Sequence, residues 1–213
     1  GYKAGSFNQG TYSVAAGFSA GLATQGDQSV AVGINCGTTN QGYRSIAIGS
    51  VAGFVTQGSN AIAIGTSTGG TSQGSGSVAI GFNAGNTSQS TSAVAIGFHA
   101  GSTAGQGSNA VAIGSYAGYS NQGNYSVALG DLAGQLSQNN FSVAIGLYAG
   151  QNAQYANSTA VGPYAGQIAQ GTSSVAIGNQ AGQSTQDIQA VAIGNVAGQT
   201  SQQRYATAVG NSA

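Results

Sequence analysis

Apolar and polar positions alternate along this chain in a short phrase that keeps returning. The phrase is Ser-Val-Ala-Ile-Gly, as at Ser77-Val78-Ala79-Ile80-Gly81 and Ser174-Val175-Ala176-Ile177-Gly178. Its closing glycine falls at thirteen positions from Gly17 to Gly210, each 16 residues after the last except for one step of 17, from Gly97 to Gly114. The unit reads [SA]-V-A-I-G-x-x-A-G-x-x-x-Q-G-x-x. Val and Ile lie two apart, are β-branched and share a face of an extended strand, while Ala points to the other face. A helix with two or more glycines in every unit would lose about 1 kcal/mol at each. The A-G and Q-G steps therefore read as corners, and one coil holds two short strands and two turns. The extra residue of the long unit lies in Ser102-Thr103-Ala104-Gly105, a segment expected to absorb a bulge.

These features predict an all-β chain: a parallel β-solenoid, or β-roll, of about thirteen 16-residue coils over residues 1–213. Coils about 4.8 Å apart would span on the order of 60 Å. Like residues then stack into ladders. A structural glutamine ladder is expected from Gln9, Gln25, Gln41, Gln57, Gln73, Gln89, Gln106, Gln122, Gln138, Gln154, Gln170, Gln186 and Gln202, bonded amide to amide along the axis. Val and Ile are expected to fill a thin core. Ala15, Ala31, Ala47, Ala63, Ala79, Ala95, Ala112, Ala128, Ala144, Ala160, Ala176, Ala192 and Ala208 would then line an outer face of methyl-sized side chains, against which a second chain packs closely. A roll with so little apolar volume per coil buries little on its own, which favours self-association. Neither end carries an atypical capping unit, so the chain is expected to be a segment of a longer array or a subunit that stacks end to end.

Composition narrows the class. Only 3% of residues are charged, Gly occurs 38 times and Pro once. Collagen lacks its Gly-X-Y period here, and disorder does not fit apolar residues held in strict register. Lys3, Arg44 and Arg204 against Asp27, Asp131 and Asp187 give a net charge of zero with no basic patch, so nucleic acid is not an expected partner. No apolar run reaches the roughly 18 residues of a membrane helix.

Candidate chemistry is sparse. His99 is the single histidine, and metal sites need three or four ligands. Cys36 stands in a column mostly held by Ala and reads as a small buried hydrophobe. The three Asp residues occupy different units and columns, which leaves no carboxylate pair for acid–base work. No catalytic residue, cofactor or metal is expected, and the chain reads as a non-enzyme. Phe18, Phe82, Phe98, Tyr116, Tyr148 and Tyr164 share one corner, between the two glycines of their units. Two readings of them stay open: rings stacking on one another to stiffen the corner, or rings presented to sugars or a host receptor. Sequons at Asn86, Asn124, Asn140 and Asn157 are near what chance gives in a chain so rich in Asn, Ser and Thr.

The S-V-A-I-G units resemble the YadA-like head repeats of trimeric autotransporter adhesins, and more closely the repeat shafts of phage and large-virus fibre proteins. The resemblance spans Gly1 to Ala213, with a period longer than in the adhesin heads. It implies a left-handed parallel roll, three chains about one axis, and exposure on a cell or virion surface. Three functions follow as expectations. The first is a structural shaft of an extracellular fibre or adhesin that holds or presents attachment surfaces for a host glycan or receptor. The second is a self-assembling extracellular filament or sheath subunit. The third is an ice-binding solenoid, for which a regular Thr-x-Thr array is missing.

Overall fold

The computed structural model describes residues 1–213. It is all-β, and its sheets are parallel with the expected register. Two compact units divide the chain, Gly1–Asn109 and Ala110–Ala213.

In the first unit, the V-A-I phrase of each coil is a three-residue strand: β1 (Val14–Ala16), β2 (Val30–Val32), β3 (Ile46–Ile48), β4 (Ile62–Ile64), β5 (Val78–Ile80) and β6 (Val94–Ile96). Neighbours pair residue on like residue, as in Ala31 with Ala47 and Ala63 with Ala79. The second wall is thinner. Successive glutamines meet in single-residue bridges, from Gln9–Gln25 to Gln89–Gln106, and β7 (Thr103–Gln106) is the one strand there. That strand carries the extra residue of the long unit. Ala104 and Gly105 absorb it at φ 54° and 81°, and Gln106 rejoins the register by donating its N–H to Ser88 O at 3.1 Å.

The second unit builds both walls from strands. One sheet holds β8 (Val111–Ile113), β10 (Val127–Leu129), β12 (Val143–Ile145), β14 (Thr159–Val161), β16 (Val175–Ile177), β18 (Val191–Ile193) and β20 (Thr207–Val209). The other holds β9 (Ser120–Gln122), β11 (Leu136–Gln138), β13 (Asn152–Gln154), β15 (Ile168–Gln170), β17 (Ser184–Gln186) and β19 (Thr200–Gln202).

The interior corrects the sequence-based expectation about faces. Ala31, Ala47, Ala63, Ala79, Ala95, Ala112, Ala128, Ala144, Ala160, Ala176 and Ala192 are fully buried inside the coils, and Ala15 and Ala208 are half-buried. They form no outer face for another chain. Val and Ile point outward and are half-exposed or exposed throughout. The reason is room. A Cβ built on Gly118 would lie only 3.2 Å from the Ala112 Cβ across the interior. The space between the walls is about one methyl deep, and a branched side chain does not fit. The core is therefore Ala, Ser and Gln, joined by Cys36 and the alanines of the A-G step, such as Ala52 and Ala133.

The corners use more left-handed backbone than glycine supplies. The A-G glycines sit near φ +50° to +59°; at Gly134 a side chain would also strike the Gln138 amide, 2.6 Å from the added Cβ. Two residues past each closing glycine, the chain is again left-handed, at Asn35, Tyr148 and even β-branched Val51 and Val196 (φ 61° and 60°).

Candidate interaction surfaces

The glutamine column lies in the interior of the coils. Beyond the exposed Gln9, these side chains are buried, and they include the largest fully buried side chains of the chain. Each amide spans the cavity between the walls: Gln57 Nε2 donates to Ile46 O at 2.7 Å and Gln154 Nε2 to Val143 O at 2.7 Å. A buried polar group is tolerated because its partners are built in. Serine completes the lining, with Ser142 Oγ donating to Asn139 O at 2.5 Å and Ser174 Oγ to Gly171 O at 2.6 Å.

Amide-to-amide bonding along the axis is uneven. In the second unit it is unbroken: Gln122 donates to Gln138, then Gln154, Gln170, Gln186 and Gln202 follow in turn, at 3.0–3.3 Å. In the first unit only Gln73 to Gln89 and Gln89 to Gln106 are joined. There Gln25, Gln41, Gln57 and Gln73 leave Oε1 buried with no donor. A second amide ladder, which sequence reasoning passed over, runs up the second unit through Gln135, Gln151, Gln167, Gln183 and Gln199 at 2.9–3.1 Å. The signal was in the sequence: five consecutive units place Gln directly after the A-G glycine. Its donors point toward the N-terminus, opposite to those of the interior ladder, so the two rows of amide dipoles oppose one another.

The outward sheet face is a regular apolar feature of both units. In the first unit, Val30, Ile46, Ile62, Val78 and Val94 make one column and Val32, Ile48, Ile64, Ile80 and Ile96 the other. The second unit repeats this from Val111 and Ile113 onward, with Thr159 and Thr207 as polar exceptions. Ile48, Leu129, Ile177 and Ile193 keep 38–41% of their surface exposed.

The corner aromatics stack mainly on each other. Tyr2 lies on Phe18 at 5.5 Å, Phe82 on Phe98 at 5.4 Å and Tyr148 on Tyr164 at 5.1 Å, with ring planes within 22°. Tyr116 packs edge-on against Tyr119 at 5.4 Å. Stacking covers the faces a sugar would need, so the geometry favours corner stiffening. His99 belongs to the same stack, edge-on to Phe98 at 4.4 Å. Cys36 is buried, with Sγ 3.4 Å from Gly33 O. Burial pushes its thiol up to about 11, partly offset by its backbone hydrogen bond. No three His, Cys, Asp or Glu side chains gather to hold a metal ion. No helix is long and apolar enough to cross a membrane. No protein-family model, curated protein or solved structure matches the chain.

Proposed function

We propose that this protein is a structural element, a shaft segment of an extracellular fibre or adhesin, whose copies associate through the outward Val/Ile face. The observation that carries this reading is the exposure of that face along each unit. Contiguous apolar surface of this regularity marks an interaction site on a soluble chain. The partner it fits is a second copy of the same chain. Apolar ridges repeating every coil, about 4.8 Å apart, mesh along their whole length only with a surface of the same period. The face carries no charge that would select a different partner. A shaft needs stiffness and a surface with little for proteases to engage, and both follow from a ladder-bonded coil with 3% charged residues. The resemblance to trimeric adhesin heads and viral shafts favours three copies about one axis and a place on a cell or virion surface.

Sedimentation equilibrium tests this. The expected mass is three times 20.5 kDa, and Ile80→Lys with Ile145→Lys should yield a folded monomer with unchanged far-ultraviolet dichroism. A wild-type chain that stays monomeric at all concentrations overturns the proposal. Mass that grows without limit as concentration rises would instead select the filament.

A further inference from the structure

The corner that follows each buried glutamine holds a groove in both units, and only one of the two is equipped to bind. In the first unit the groove is about 350 Å³, lined by Thr56, Ser72, Ser88, Ser90 and Thr91 and neighbouring backbone, without a ring or a charge. In the second it is about 460 Å³, and Tyr155, Thr172, Thr185, Asp187, Ile188 and Gln203 line it. The difference arises in a single column. The residue after the ladder glutamine is Gly in most units, but in the last four it is Tyr155, Gly171, Asp187 and Gln203. Side chains return on both sides of one bare coil, and buried Gly171 becomes the floor of a slot. Tyr155 and Asp187 lie two coils apart, about 10 Å.

The walls differ in chemistry. Tyr155 is 49% exposed and enters none of the ring stacks that occupy the corner aromatics. Asp187 Oδ1 accepts the Ile188 N–H at 2.6 Å, which fixes the carboxylate while the other oxygen takes no protein donor. Thr172, Thr185 and Gln203 add hydroxyl and amide groups beside it. An aromatic ring and an oriented carboxylate in the lining of one groove, with neutral donors and acceptors beside them, match a pyranose sugar. The sugar's C–H face lies on the ring and its hydroxyls donate to the carboxylate. The volume falls within the about 300–1,000 Å³ of small-molecule sites. A negative sugar is disfavoured, because Asp187 is the one charged residue in the lining.

The geometry points to a carbohydrate-binding site in the second unit that takes a neutral hexose, as a terminal or internal residue of a glycan. This deepens the shaft reading by giving it an attachment surface, yet it needs no association between copies. The test is a titration of the full ¹⁵N-labelled chain with methyl α-mannopyranoside, methyl β-galactopyranoside and methyl β-glucopyranoside, with methyl α-N-acetylneuraminide as the anionic control. Saturable shifts are expected at the Thr172, Asp187, Ile188 and Gln203 amides for at least one neutral glycoside, and none at Thr56 or Ser88. Tyr155→Ala should weaken that binding about tenfold, a loss of about 1.4 kcal/mol, and Tyr155→Phe should retain it. Asp187→Asn, a surface change that leaves the coil intact, should weaken it severalfold. Absence of saturable shifts with all three neutral glycosides overturns the site. So does equal affinity of Tyr155→Ala, or preference for the anionic glycoside. Failure of the chain to associate would show in its mass and leave these shifts unchanged.

Discussion

The two units run the same repeat and solve the second wall differently. In Gly1–Asn109, glutamines mostly meet at isolated bridges, and four of their carbonyl oxygens are buried without a donor. In Ala110–Ala213, the same column sits in three-residue strands, its amides are joined in sequence from Gln122 to Gln202 with Gln122 Oε1 alone buried without a donor, and a second glutamine ladder runs beside it. The residue before each ladder glutamine differs too. It is left-handed at every such position from Asn121 to Ser201 in the second unit; in the first it is left-handed at Asn8, Asn40, Ser88 and Gly105 but not at Thr24, Thr56 and Ser72. Asn and small residues accept that conformation more readily than Thr, although Thr185 adopts it at φ 54°. One repeat thus tolerates a loosely and a fully laddered wall, because the Ala-lined V-A-I wall holds register in both.

The largest effect should come from the ladder itself. Gln154→Leu removes bonds to Val143 O and Gln170 Oε1 and takes away the Gln154 acceptor of Gln138, which keeps its bond to Val127 O, a cost of about 4 kcal/mol. Gln57→Leu loses its bonds to Ile46 O and Ala61 O but also deletes an already unpartnered oxygen, a cost of about 2 kcal/mol. Urea unfolding of the two variants measures the gap, and equal costs would break the comparison.

Overpacking should ignore it. Ala47→Leu in the first unit and Ala128→Leu in the second each force a branched side chain into a space one methyl deep, at about 3 kcal/mol. Matching losses would show that the V-A-I wall is equivalent in both. A variant that unfolds nothing but changes association would return the Ala column to the outside.

A smaller effect marks the first unit alone. The Cys36 thiol is raised from 9.0 to about 11 in the folded chain. Its neutral form is favoured by folding, so this stability is fully present below pH 9 and falls as pH rises toward 11, by about 1 kcal/mol at pH 10. Cys36→Ala, which restores the residue usual in that column, should remove this slope from the pH dependence of unfolding.

The smallest effect belongs to the outer ladder. Gln167→Ala breaks two half-exposed amide links and should cost about 1 kcal/mol or less. Amide hydrogen exchange should quicken at Ile168 and Ser184 and leave Thr39 and Val55 unchanged.

The order of coils, their parallel pairing and the exact stacking of like residues were legible in the spacing of Gly17, Gly33 and their successors, because a fixed period with β-branched pairs admits few other arrangements. The glutamine column was legible as a ladder, but not as the core. Its burial depends on carbonyls such as Val143 O lying across a cavity that no local pattern describes. The carbohydrate groove was hidden for a related reason. Tyr155, Gly171 and Asp187 are 16 residues apart and become neighbours only when coils stack.

The period, the register and the two corners follow from residue spacing and backbone freedom alone. Which side of the V-A-I strand faces in is set by how the coil walls pack together. Hydrophobicity argues for Val and Ile inside, but the centre of the V-A-I strand faces the A-G glycine so closely that only a methyl fits there. Steric volume overrides transfer free energy where the interior is that thin, and the large apolar side chains are left on the face where another molecule can meet them.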